Sequence, residues 1–163
     1  MLLLKLQILP KIYPQKYSEY VEKYAKECGI DPLLIYSIIK AESNFKDDAK
    51  SNSNAIGLMQ VMLSTAQEMG ESLEIEQITE EKLYNPEINI KIGVKYFKSL
   101  LEKYNNYNLA IIAYNAGMGN LDSWIEKGII DEQGENIENI PFSETKNYVK
   151  KILQNYKIYQ EIY

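Results

Sequence analysis

The chain has 163 residues, 18 basic against 23 acidic side chains and no histidine, and every one of its basic residues is lysine. Without histidine or arginine there can be no Ser/His/Asp or Cys/His catalytic set, no histidine-ligated metal site and no bidentate arginine clamp on phosphate. A net charge of −5 argues against nucleic acid as a partner. A single cysteine, Cys28, forms no intrachain disulfide and reads as a small packing side chain.

The length suits one domain with its own core. The opening segment, MLLLKLQILP, is apolar but short and is interrupted by Lys5. It is not long enough to span a bilayer and lacks the layout of a signal peptide. Residues 1–16 are therefore an N-terminal arm, either packed or the remnant of a membrane anchor, and 17–163 form the folded domain.

From there the pattern is helical. Ser18 is the expected cap of a helix running to about Lys26, with Gly29 as its stop. Asp31-Pro32 restarts a helix, an N-cap residue followed by proline at the first helical position. Ile35, Ile38, Ile39 and Glu42 fall on one face of it. Lys46 to Ile56 is rich in Asn, Ser and Asp and reads as a loop.

Ser64 is the expected cap of a short helix ended by Gly70. Glu71 to Glu81 is an acidic connection with a short helical turn. Asn85-Pro86 opens a helix with the stripe Ile90, Gly93, Phe97, Leu100, Leu101 and Tyr104. Glycine inside a helix costs about 1 kcal/mol relative to alanine, so Gly93 suggests close approach of another backbone. Asn108 is expected to cap LAIIAYNAG, closed by Gly117. A helix with Leu121, Trp124 and Ile125 stops at Gly128. After the irregular stretch from Ile129 to Pro141, Ser143 caps a last helix striped with Tyr148, Val149, Ile152, Leu153, Tyr156 and Tyr159. No strand run is evident. The fold expected is an all-α globule of roughly seven helices.

Glu42 is the candidate catalytic residue. It continues a buried stripe, where desolvation disfavours the carboxylate, and it lies at the negative end of the helix dipole. Both effects favour a protonated carboxyl group, which is a general acid. Asp47 and Asp48 are the nearby candidates for a second carboxylate, and their polar loop makes them turn-forming or solvated.

Glu42-Ser43, Phe45, Ala49, Ser51, Ala55-x-Gly57-Leu58-Met59-Gln60-x-Met62 and Thr65-Ala66 resemble the first motif of the soluble lytic transglycosylases. Asn89-Ile90-x-x-Gly93-x-x-Tyr96 resembles their second motif, Ala113-Tyr114-Asn115-Ala116-Gly117 their third, and Pro141-Phe142-x-Glu144-Thr145-x-x-Tyr148-Val149 their fourth. Four motifs in order, from about Tyr17 to Tyr156, make the resemblance specific. Two positions depart from it: Leu63 stands where the family usually carries proline, and Asn54 where it carries glycine. Asparagine tolerates the left-handed conformation that glycine would supply.

The resemblance implies a lysozyme-like helical domain with a glycan-binding groove. It implies cleavage of the β-1,4 bond between N-acetylmuramic acid and N-acetylglucosamine in peptidoglycan, with a 1,6-anhydro product and no metal or organic cofactor. Glu42 would act first as acid and then as base. Ser51, Gln60, Met62, Tyr114, Asn115 and Glu144 would bind or orient the substrate. The partner implied is a peptidoglycan glycan strand, met by a monomer outside the cytoplasmic membrane. The alternatives are a hydrolytic muramidase on the same fold, which needs two carboxylates flanking the bond, and a glycan-binding module without turnover.

Overall fold

The computed structural model describes residues 8–163, and the first seven residues of the N-terminal arm lie outside them. Nine α-helices are present among the described residues: α1 (Leu9–Ile12), α2 (Ser18–Cys28), α3 (Pro32–Glu42), α4 (Leu63–Ser72), α5 (Glu80–Leu83), α6 (Pro86–Tyr104), α7 (Tyr107–Ala116), α8 (Met118–Glu126) and α9 (Ser143–Ile162). Strands are absent from these residues, which carry only the isolated antiparallel bridges Lys50–Ile56 and Ile56–Val61. The all-α reading holds. The excess over seven helices is made by two single-turn elements, α1 and α5, too short to show an apolar period. None of the helices among the described residues is long and apolar enough to cross a membrane.

The chain divides into two compact units, one holding the chain through Tyr96 together with Gln154–Tyr163, the other Phe97–Leu153. The divisions fall inside α6 and α9.

In the first unit α3 packs on α2. Gly29 closes α2 in the left-handed conformation, φ 67°, while the next amide, of Ile30, bonds back to Ala25 O at 2.9 Å. Asp31 then caps α3, accepting from the Leu33 amide at 2.9 Å. Leu34, Ile35, Tyr36, Ser37, Ile38 and Ile39 are all buried. Burying each of the larger apolar side chains contributes about 1.5–3 kcal/mol. The end of α9 closes over this helix: the Tyr156 hydroxyl donates to Asp31 Oδ2 at 2.6 Å, and Tyr159 stacks on Tyr36 with centroids 5.8 Å apart. Tyr159 also donates to Pro14 O at 2.9 Å and Tyr163 to Tyr13 O at 3.0 Å, which fastens the segment before α2.

In the second unit α7 packs on α8. Its buried face is Leu109, Ala110, Ile111, Ile112 and Ala113. The irregular segment after α8 is ordered by side chains. Asp131 accepts from the amides of Glu135 and Asn136 at 3.0 and 2.9 Å, and these bonds hold its carboxyl below the usual range. Asn106 and Asn108 donate to Gln133 O and Gly134 O at 2.7 and 2.8 Å. Trp124 is buried and meets Phe142 edge to face at 5.0 Å.

Five local expectations are corrected, one of them Ser143, expected as the cap of α9 and already its first helical residue. The residue before α2 is Tyr17, in the left-handed conformation with no side-chain cap, so Ser18 is already helical. The N-cap of α4 is Met62, and Leu63 takes the first helical position, the place proline favours. Ser64 therefore lies inside the first turn. The cap of α7 is Asn106, whose Oδ1 accepts from the Leu109 amide at 3.0 Å; Asn108 lies two residues further on, inside the helix. Gly70 does not end α4, which runs on to Ser72. A Cβ there would come within 2.7 Å of Ile78 Cγ1, so this glycine admits a packed neighbour.

Candidate active site

Glu42 is the last residue of α3 and is half-buried, one turn beyond the fully buried Ile35, Ile38 and Ile39. Ser43 follows as the C-cap. Its buried hydroxyl lies 2.8 Å from Leu58 O and 3.2 Å from Ile39 O, so its single proton goes mainly across to the next loop and is shared with its own helix. Lys40 stands two positions before Glu42. Its ammonium reaches Ile12 O at 2.6 Å and Asn44 Oδ1 at 3.3 Å and lies over the Tyr13 ring at 4.5 Å.

Leu58 belongs to a tight turn. Ile56 and Val61 exchange two backbone bonds of 3.0 Å, with Gly57 and Gln60 both at positive φ, 76° and 48°. Ile56, Gly57, Leu58, Met59 and Val61 are buried. The turn is held from α6 by Asn89, which is fully buried. Its Oδ1 accepts from the Met59 amide at 2.8 Å, and its Nδ2 donates to Ile56 O and Leu83 O, each at 2.8 Å. Every hydrogen-bonding capacity of the Nδ2 amine is met. Gly93, one turn along α6, is where Met59 packs: a Cβ would fall 2.6 Å from its sulfur. The close neighbour at Gly93 is therefore a side chain and not a second backbone.

Ser51 lies in the preceding loop. Its Oγ accepts from the amides of Ser53 and Ala55 at 3.2 and 3.0 Å. Both bonds use the oxygen, so the hydroxyl proton remains able to donate. Asn54 has φ 64°, the left-handed conformation for which asparagine substitutes for glycine. Gln60 directs Nε2 at Gly57 O (2.9 Å) and Ala49 O (3.3 Å), bracing the turn with its donors and leaving Oε1 as its acceptor. Met62 is 40 % exposed and is not part of the core. Glu42, Ser51, Gln60 and Met62 are thus gathered on one hydrogen-bonded segment of the first unit.

The two other carboxylates are differently placed. Asp47 lies by the start of α2: the Tyr17 phenol is pushed up by partial burial, then by the charge of Asp47 and a hydrogen bond to it. Asp48 is exposed.

Tyr114, Asn115 and Glu144 belong to the second unit. Tyr114 and Asn115 occupy the last turn of α7, both half-buried, and the Tyr114 ring stands edge-on to Phe97 at 6.0 Å. Gly117, at φ 83° and ψ 150°, separates α7 from α8 in a single residue. Asn120 donates to Ala116 O at 2.7 Å and satisfies one carbonyl at that helix end. Glu144 is exposed in the first turn of α9, where a negative charge suits the helix dipole.

Ser43 and Asn89 were visible in the sequence only as letters of motifs. Nothing local in the sequence reveals their bonds to Leu58, Met59 and Ile56, because these partners lie 15, 30 and 33 residues away.

The chain spans about a quarter of the length of the soluble relatives it matches. It is 34 % identical over 149 residues to the soluble lytic murein transglycosylase of Escherichia coli (strain K12), covering 89 % of this chain and 23 % of that protein. It is 30 % identical over 172 residues to the membrane-bound lytic murein transglycosylase C of Edwardsiella ictaluri, covering 90 % of this chain and 47 % of that one. Among solved structures, an inactive glutamate-to-glutamine mutant of lytic transglycosylase Slt from Pseudomonas aeruginosa superposes with TM-score 0.84 at 33 % identity, over 94 % of this chain and 25 % of that one. The complex of a 70-kDa soluble lytic transglycosylase with bulgecin A gives TM-score 0.85 at 32 % identity, with the same coverage of 94 % and 25 %. These likenesses carry the lysozyme-like fold, and the family model for the transglycosylase SLT domain matches residues 19–135, from α2 through the segment after α8. With the motif residues placed as described, the chain belongs to the transglycosylase SLT domain family.

Proposed function

We propose that this domain is the catalytic part of a peptidoglycan lytic transglycosylase, with Glu42 as its acid and base. The observation that carries the reading is the delivery of one carboxyl group, half-buried, at the end of a helix whose other inward residues are fully buried, with the next residue bonded to the turn that bears Gln60 and Met62. Membership of the SLT family and the names of the relatives support it. So does the fact that a glutamate-to-glutamine change inactivates a relative of the same fold.

One carboxyl group suffices for the reaction. Glu42 protonates the oxygen linking the muramyl C1 to the next sugar, and the C1–O bond breaks. The resulting carboxylate then takes the proton of the muramyl 6-hydroxyl as that oxygen attacks C1 and closes the 1,6-anhydro ring. The proton lent in the first half returns in the second, and no water enters. An internal hydroxyl brings the high effective concentration of an intramolecular reaction.

Around that step, Ser51 donates its remaining proton to the muramyl group, and Gln60 Oε1 accepts from a sugar hydroxyl. Met62 supplies an apolar wall, and Tyr114 is a substrate-binding residue by the family resemblance. Asn115 and Glu144 bind the glycan by the same resemblance. The substrate puts the protein outside the cytoplasmic membrane.

The test is mass spectrometry of the fragments released from purified peptidoglycan by the wild-type domain and by Glu42→Gln. Anhydromuramyl ends are expected from the wild type. The amide keeps the shape but cannot supply the proton, so the variant should lose at least roughly 100-fold in rate, with an unchanged melting temperature. Near-normal turnover in Glu42→Gln would sink the assignment of the acid. Reducing ends would make the enzyme a hydrolase.

A further inference from the structure

We infer that Asn89 is a positioning residue for Glu42, acting through the Leu58 carbonyl and Ser43. The path is continuous in hydrogen bonds. Asn89 grips the turn on both sides of Leu58, at Ile56 O and at the Met59 amide, each at 2.8 Å. Leu58 O, fixed between them, accepts from Ser43 Oγ at 2.8 Å. Ser43 is the residue after Glu42, and its hydroxyl also returns to Ile39 O at 3.2 Å within the last turn of α3. The direction in which that last turn ends is thereby referred to α6 through a buried side chain.

Packing allows no slack in the path. Asn89 has no exposed surface and Ser43 only 8 %. Gly57 lets Asn89 approach: a Cβ there would lie 2.8 Å from Asn89 Cγ and 2.7 Å from Leu83 O. Met59, whose amide Asn89 holds, is seated against Gly93 of the same helix. The turn is therefore keyed to α6 at two points, and Ser43 transfers that registration to the catalytic helix. A proton donor must sit within hydrogen-bond reach of its acceptor, and a displacement of about 1 Å costs up to roughly 100-fold in rate.

The inference rests on Glu42 being the acid, and its test is chosen to be read without turnover as well as with it. The side-chain carboxyl groups of glutamate are labelled with 13C, and the Glu42 resonance is identified by its loss in Glu42→Gln. Its chemical shift and titration midpoint are followed in the wild type, Ser43→Ala, Asn89→Ala and the double variant, beside a thermal melt of each. Both single variants should move the midpoint in the same direction, and the double variant should move it no further than the larger single. On peptidoglycan, kcat should fall roughly tenfold or more while KM stays within about threefold. A purely structural role would lower the melting temperature and leave the Glu42 midpoint where it was, which would overturn the inference. So would effects of the two variants that simply add. Should Asn89→Ala fail to fold, an unmoved midpoint in Ser43→Ala overturns it alone. A wild type without lytic activity would refute the proposed function, while the resonance still decides the relay.

Discussion

The turn that carries Leu58 offers a test with an internal control. Gly57 and Gly29 are both left-handed glycines, with φ 76° and 67°. Alanine at either pays the same kind of backbone cost, about 1–2 kcal/mol. What differs is the space. A Cβ at Gly29 meets nothing within 4 Å, whereas at Gly57 it meets Leu83 O at 2.7 Å and Asn89 Cγ at 2.8 Å. Neither neighbour can step aside, because Asn89 Nδ2 is bonded to Leu83 O and Asn89 Oδ1 to the Met59 amide. Overpacking of this kind adds about 1–3 kcal/mol, and each buried bond that Asn89 gives up adds about 1 kcal/mol. Gly57→Ala should therefore lose about 3–6 kcal/mol, against about 1–2 kcal/mol for Gly29→Ala. Urea unfolding followed by far-ultraviolet circular dichroism measures both, through the midpoint at unchanged slope. Gly128, at φ 67° with nothing within 4 Å of its Cβ, serves as a second control. Equal losses at Gly57 and Gly29, within about 0.5 kcal/mol, would refute the claim that Asn89 is rigidly held.

Two further outcomes accompany the Glu42 and Ser43–Asn89 experiments above. Asp31→Ala removes both the cap of α3 and the acceptor of the Tyr156 hydroxyl, and should cost about 1–3 kcal/mol in the same urea assay. Tyr156→Phe should recover part of that loss when added to Asp31→Ala, because the two share one bond. Alkaline stability should fall in a defined window. Burial pushes up the phenols of Tyr36 and Tyr159, and burial with the Asp122 hydrogen bond takes Tyr104 to about 12. A raised folded-state value means that the neutral phenol is favoured by the fold. The contribution is complete below the unfolded value of about 10 and is lost as pH rises through the folded values. Phenolate absorbance should accordingly show a late group of tyrosines ionising together with unfolding, and ionisation of all of them before unfolding would contradict the burial argument.

Some elements were determined within a few residues of sequence. Asp31-Pro32 starts α3 and Gly29 ends α2, because a side-chain cap, a fixed proline φ and a glycine free to turn left act on their own backbone. Glu42 was legible for the same reason: helical periodicity alone sets it on the face of Ile35, Ile38 and Ile39. The motif residues pointed to the family, and the fold agrees. The start of α7 departs from the local signal where long-range bonds engage both asparagines. Asn106 caps α7 and reaches Gln133 O, while Asn108 turns to Gly134 O. Gly70 and Gly93 looked like a stop and a backbone contact. They are vacancies filled by Ile78 and Met59, side chains that periodicity cannot place.

The connection from Asn89 through Leu58 to Ser43 belongs wholly to the tertiary structure. Its bonds join residues 15 to 33 positions apart. A buried amide finds such partners only after the helices have packed, when low exposure makes each unmet polar group costly enough to select one arrangement. Sequence determined which carboxyl group stands at the end of α3; packing decided what holds it there.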